Sequence, residues 1–153
     1  MAKRRDLIRM TSDEMRQFIS EQKSLQVATL NKDGTPHLST LWFGIIDDEI
    51  VFETYTKSQK ILNLHRDSRI TVLLEDGTEY EKLRGVTING TAELYSEPED
   101  VQKYAAAVIS RNHGIDLKDA TNAAASLANK RTAVVIKAEK IISWDHTKLG
   151  GSY

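Results

Sequence analysis

The chain reads as one mainly β domain, a barrel of antiparallel strands with helices at its periphery. Three observations predict this. Short runs rich in β-branched and aromatic residues recur between turn residues, as in Leu25–Leu30, the turn Asn31-Lys-Asp-Gly34 and Pro36–Phe43. Only one helical segment, after Ser58, interrupts the strands between Leu25 and Tyr95. The length of 153 residues fits one domain with a real core.

The elements follow in order. Thr11 and Glu14 stand at capping-box spacing, and Met15, Phe18 and Ile19 then share one face, so a short N-terminal helix is expected. The hairpin of Leu25–Leu30 with Pro36–Phe43 comes next, and Trp42, an aromatic on a barrel strand, belongs with the core. Gly44 and Asp47-Asp48 punctuate the connection to a third strand, Glu49–Thr54. Ser58 can cap a helix that carries Ile61, Leu62 and Leu64 inward, and Arg69–Leu74 is a fourth strand ending in the turn at Asp76-Gly77.

Two further β segments fit within Tyr80–Tyr95, where Gly90 inside an extended pattern marks a bulge or a close approach. Ser96 with Glu99, and Pro98 in the first turn, open a helix whose face is Val101, Tyr104, Ala105, Val108 and Ile109. It ends at His113-Gly114. Ala120–Leu127 is Ala-rich with Asn and Ser interleaved, which fits either another helix or a mobile excursion. Arg131–Ala138 returns to β and runs on through Ile141, Ile142 and Trp144. The expected organisation is a flexible basic N-terminus over 1–10, one domain over 11–146 and a tail over 147–153.

Composition narrows the chemistry. Hydrophobic residues make up 40% and charged residues 28%, as in a folded globular protein. With 21 basic against 22 acidic side chains the net charge is −1, so no global field draws in nucleic acid or an anionic membrane, and any anion site is local. Cysteine is absent, which removes disulfides, Cys-ligated metals and a Cys nucleophile. Redox chemistry would need an organic cofactor. No apolar run follows the basic start Lys3-Arg4-Arg5, and no stretch reaches membrane-spanning length, so a cytoplasmic location is expected.

One segment collects groups suited to an anion. In Val51–Lys60 a strand, a polar turn and a helix start succeed one another, and they offer the Ser58 hydroxyl, free backbone N–H groups and the ammonium groups of Lys57 and Lys60. Lys60 can lean back toward the helix N-terminus. The same residues also fit a capped surface helix with two solvated lysines. No two of His37, His65, His113 and His146 have the spacing of a metal pair, so no metal is expected. His37 fits an edge-strand histidine making a local hydrogen bond, or a proton donor. No Ser/His/Asp arrangement or Walker loop is present.

That run, continued by Asn63-Leu-His-Arg-Asp-Ser-Arg-Ile70, resembles the cofactor-phosphate segment of the pyridoxamine-phosphate-oxidase-like split β-barrels, which include flavin (FMN) and deazaflavin (F420) dependent members. Ala28–Ser39 is similar to that family's first hairpin, Gly85–Glu93 to its later strand with an internal Gly, and Glu139–Trp144 to its last strand; the likeness covers about residues 13 to 146. It implies that Ser58 and Lys60 are phosphate ligands, with Lys57 and Gln59 in the same grip. It places Glu53 and Thr54 at a strand end beside the cofactor, and Ser39 and Thr40 on the strand whose backbone edges the ring system. Trp144 matches an aromatic that reaches the cofactor across a homodimer interface, although ordinary strand-end packing explains it equally.

The chain departs from the family's namesake oxidase: Val108 stands one helical turn after Tyr104 where that enzyme has Arg, and Gly150-Gly151-Ser152 replaces its later basic pair. Pyridoxamine phosphate oxidation is therefore disfavoured. Asn63-Leu64, Arg66-Asp67 and Arg69 within a short frame look like the F420-dependent branch of actinobacteria. The resemblance thus implies an oxidoreductase passing hydride from reduced F420 to a conjugated small-molecule substrate such as a quinone or a tetrapyrrole like biliverdin, with no catalytic side chain assigned. The alternatives are an FMN-binding oxidoreductase of the same fold and a non-catalytic binder of a cofactor or haem.

Overall fold

The computed structural model describes residues 1–151; Ser152 and Tyr153, the end of the expected tail, lie outside the described residues. Seven strands, β1 (Ser24–Leu30), β2 (Pro36–Trp42), β3 (Gly44–Ile46), β4 (Glu49–Tyr55), β5 (Arg69–Asp76), β6 (Arg84–Tyr95) and β7 (Arg131–Asp145), form one sheet. The helices are α1 (Arg4–Leu7), α2 (Ser12–Glu21), α3 (Gln59–Arg66), α4 (Pro98–His113) and α5 (Leu117–Ala124). The strand order is β2-β1-β5-β6-β7-β4-β3, and every pairing is antiparallel.

β2 and β3 are the two edges of this sheet, yet only Phe43 separates them in sequence. The sheet is therefore curled until its edges meet end to end at Phe43, which makes it a split β-barrel. Phe43 is fully buried and packs inside with Leu25, Val27, Phe52, Val72, Val86 and Val134. Strand alternation sorts the faces: in β1, Leu25, Val27 and Thr29 are buried, and their partners across β2 are Leu41, Ser39 and His37.

The helices close what the sheet leaves open. α2 starts at the expected capping box, with the Thr11 hydroxyl accepting from the Glu14 N–H and the Glu14 carboxylate accepting from the Thr11 N–H, and it turns Phe18 into the core. α3 sets Ile61 and Leu64 against the barrel. α4 packs over β3, β4 and β7 on the outside, so the short edge β3 is covered while β2 keeps an unpaired backbone edge. α5 docks on α4 through Ala105, Ala106, Ala120 and Ala124. At the chain's start, Met10 is buried and its N–H donates to Ser143 Oγ at 3.1 Å.

Several local expectations differ from the structure. Tyr80–Tyr95 holds one strand, preceded by a 3-10 turn at Tyr80–Lys82, because β6 continues through a bulge at Asn89/Gly90. α4 has Glu97 at its N-cap with no side-chain cap bond, so Ser96 and Glu99 form no capping box; Pro98 suffices as a start because its φ is preset. Trp42 is 47% exposed and meets the His113 ring edge-on, since its side chain lies on the face of β2 away from the interior. No helix among the described residues is long and apolar enough to cross a membrane.

Candidate functional site

The polar groups gather where β4 hands the chain to α3. β4 runs beside the start of β7, with Thr54 opposite Thr132 and Tyr55 opposite Arg131. The turn after it is tied down by the Thr56 N–H donating to the Lys130 carbonyl at 3.1 Å and by a 3.0 Å bond between the Thr56 and Thr132 hydroxyls. Ser58 then takes the N-cap position, with extended backbone at φ −67° and ψ 152°, and its carbonyl accepts from the Ile61 and Leu62 N–H groups at 3.1 Å each.

The Ser58 side chain does not cap the helix. Its Oγ is buried and has no partner, which corrects the expected Ser58 cap bond. The N–H groups of the first turn are therefore left without the usual side-chain acceptor. Lys60 lies partly buried in that turn, and desolvation lowers its pKa from the ordinary lysine value. Among the described residues neither Lys57 nor Lys60 has a carboxylate partner.

Across an open cleft from Gln59, at the start of α3, lies His37 on the inner face of β2. His37 Nδ1 and Ser39 Oγ are both buried without a partner, so His37 makes no local hydrogen bond through that atom, contrary to expectation. Thr40 alternates to the exposed outer face, and only its backbone can serve the inner side. Five buried side-chain polar atoms lack a protein partner among the described residues, and three of them, on His37, Ser39 and Ser58, belong to β2 and the approach to α3. An open cleft of about 420 Å³ is lined by Asn31, Lys32, Asp33, His37 and Gln59, so of the three residues His37 borders it.

Asn63 joins the two sides. It is fully buried, donates through Nδ2 to Thr29 Oγ1 and Asn31 Oδ1 at 3.0 Å each, and accepts through Oδ1 from Gln59 Nε2 at 2.8 Å and Arg66 Nη2 at 3.2 Å. Arg66 also donates to the Leu30 carbonyl. The pair Gln59–Asn63 sits at the i, i+4 spacing of helical neighbours, which was the available sequence signal for Asn63.

The remaining expected residues are dispersed. Thr54 is buried on the inner face of β4, while Glu53 points to the other face and pairs with Arg131 at 2.8 Å. The Arg131 guanidinium also lies 4.3 Å from the Tyr55 ring centroid, and its Nε is buried without a partner. Arg131 had no sequence signal, because only the β4–β7 register brings it to Glu53. Trp144 lies flat over Gly85, its cross-strand partner, where an added Cβ would come within 2.1 Å of the indole. It stands twelve residues beyond Thr132 on β7, roughly 40 Å of strand at about 3.3 Å per residue. Within one chain, Trp144 and Ser58 thus occupy opposite ends of that strand.

The family model described as pyridoxamine 5'-phosphate oxidase matches residues 11–145. The conserved hypothetical protein Rv2991 of Mycobacterium tuberculosis is 40% identical, with a TM-score of 0.91 over 99% of this chain and 95% of that one. An F420 reductase is 18% identical with a TM-score of 0.58 over 82% of this chain and 94% of that one. HutZ, the haem storage protein from Vibrio cholerae, is 14% identical with a TM-score of 0.67 over 86% of this chain and 94% of that one. At these low identities the last two share the fold. No curated protein matches.

Proposed function

The chain belongs to the pyridoxamine 5'-phosphate oxidase family, and from that membership we propose that it is an oxidoreductase that holds coenzyme F420 by a phosphate at Ser58-Gln59-Lys60. The observation that carries this reading is the set of orphaned polar atoms, Ser58 Oγ, Ser39 Oγ and His37 Nδ1, together with a Lys60 ammonium that burial disfavours and that no carboxylate among the described residues offsets. A buried donor without a partner costs about 1–3 kcal/mol. A phosphate supplies acceptor oxygens to the hydroxyls, the imidazole N–H, the ammonium and the helix N-terminus at once, so the residues present fit the group.

When bound, reduced F420 supplies the hydride, and a conjugated small molecule such as a quinone or tetrapyrrole receives it. The chain's own residues bind and orient. Ser58, Lys60 and Lys57 hold the phosphate with the His37 and Ser39 side chains opposite, Gln59 lines its approach, and the unpaired backbone edge of β2 runs on from Ser39 and Thr40 toward the ring. Glu53 and Thr54 frame the β4 end, Glu53 through its pairing with Arg131. Trp144 cannot reach this site from its own chain, which supports a homodimer in which the partner subunit supplies that aromatic. Exposed Leu38 and Trp42 on the outer face of β2 offer apolar surface for such an interface. A monomer at micromolar concentration in sedimentation equilibrium would remove the dimer.

The deazaflavin reading is favoured over FMN by the run Asn63-Leu64, Arg66-Asp67 and Arg69 within a short frame, while the missing namesake pattern, with Tyr104 packed against Tyr95 at 5.1 Å between ring centroids and Val108 buried, argues against pyridoxamine phosphate oxidation. The 40% identical mycobacterial chain accords with the actinobacterial branch. Parallel titration with F420, FMN and haem tests the reading, with saturable F420 binding as the expected result. Lys60→Ala should weaken it by about 1.5–3 kcal/mol, the scale of a charge-assisted hydrogen bond. Unchanged affinity in that variant would refute the phosphate assignment.

A further inference from the structure

We infer that Asn63 is the positioning residue of the phosphate grip, setting the gap between α3 and β2 in which the phosphate sits; this rests on the grip proposed above. The orphaned atoms stand on two separate elements, Ser58 on the approach to α3 and His37 and Ser39 on β2. A phosphate oxygen can meet both sides only if their separation is held to within a few tenths of an ångström, because hydrogen bonds weaken steeply outside about 2.7–3.2 Å. β2 is fixed through its pairing with β1, and α3 through Ile61 and Leu64 in the core, but these apolar and backbone contacts do not tie the polar start of α3 to the β1–β2 hairpin, which the gap requires.

Asn63 supplies the missing constraint. Its Nδ2 grips Thr29 Oγ1, and Thr29 is the register partner of His37, so the bond ties α3 to the row of β1 and β2 that carries one of the unpartnered atoms. The second Nδ2 bond holds Asn31, where the hairpin begins. On the helix side, Oδ1 fixes the Gln59 carboxamide beside Ser58. All four hydrogen-bonding positions of the Asn63 amide are filled. An amide with both donors and both lone pairs used in a dry site permits one orientation, and hence one gap. Asn63 touches no ligand in this scheme.

The test compares ligands that differ at the phosphate: FMN against riboflavin, and F420 against the phosphate-free deazariboflavin at its core. The parent protein is expected to prefer the phosphate-bearing member of whichever pair it binds. Asn63→Leu, close in shape but without polar atoms, should weaken that member about tenfold or more and leave the phosphate-free member within about twofold. A merely structural role would weaken both equally, and that outcome overturns the inference, as does an unchanged preference. If Asn63→Leu does not fold, Thr29→Val removes one acceptor while keeping the shape. It should erode only the phosphate preference, and an intact preference there also overturns the inference. A parent with no phosphate preference overturns the grip itself, which separates that failure from this one.

Discussion

Asn112, in the last turn of α4, donates through Nδ2 to the carbonyl oxygen of Phe43 at 2.9 Å, the single residue at which β2 becomes β3. The same nitrogen donates to the Val108 carbonyl at 2.8 Å, and the neighbouring Arg111 guanidinium lies 4.1 Å from the Phe43 ring centroid. Arg111 also donates to the Ile19 carbonyl at 2.9 Å, which links α4 to α2. The seam of the barrel is thus clamped from outside by consecutive residues of one helix. Asn112→Ala would leave the Phe43 carbonyl buried without a donor. A loss of about 1–3 kcal/mol is expected in urea unfolding. A midpoint equal to the parent's would show that the seam does not depend on this bond.

Gly90 answers to a different constraint. At the β6–β7 bulge an added Cβ would stand 2.0 Å from the Lys137 carbonyl oxygen, a backbone atom that cannot swing aside. Alanine in place of a strand glycine ordinarily stabilises, by roughly 0.5–1 kcal/mol. Gly90→Ala should do the reverse, destabilising by about 1–3 kcal/mol as the two long strands are forced apart. Amide exchange at Lys137 and Ala138 should accelerate; a stabilised variant with unchanged protection would contradict the bulge geometry.

Acid should act partly through Asp67, just after α3. Side-chain and backbone hydrogen bonds from Arg69 hold its carboxyl well below the ordinary aspartate value of 3.8, at about 2. A carboxyl with a depressed folded-state pKa favours the folded state above its unfolded value, and that contribution disappears as pH falls through the folded value. The stability of the parent should therefore decline between about pH 4 and pH 2, and Asp67→Asn should flatten that part of the profile. Because Arg69 is exposed and Asp67 only half-buried, added salt should shrink the difference. Parallel acid titrations of the two proteins, followed by circular dichroism, check this; identical slopes would rule Asp67 out.

Elements whose causes are local were legible in the residues. The α2 capping box spans Thr11 to Glu14, the Asn31–Gly34 turn closes a hairpin, and alternation in Glu49–Thr54 marks a strand whose even-numbered residues go inward. Side-chain facing at sheet edges was not. Trp42 has the composition of a core position, but alternation along β2 turns it outward while Phe43 goes in. Ser58 stands where a cap belongs, yet its hydroxyl is left unbonded in the interior.

By itself, then, the sequence determined the mainly β class, the order of most elements and the short anion-suited run at Lys57–Lys60, because periodicity and capping act over a few residues. Only the tertiary structure decided which polar groups face one another. Asn63 meets Thr29 across 34 residues and Arg131 meets Glu53 across 78, distances at which pairing is set by strand order and register rather than by any local propensity. The same holds for Trp144: its residue type fits a cofactor contact, but the direction of β7 carries it to the end of the strand away from Ser58.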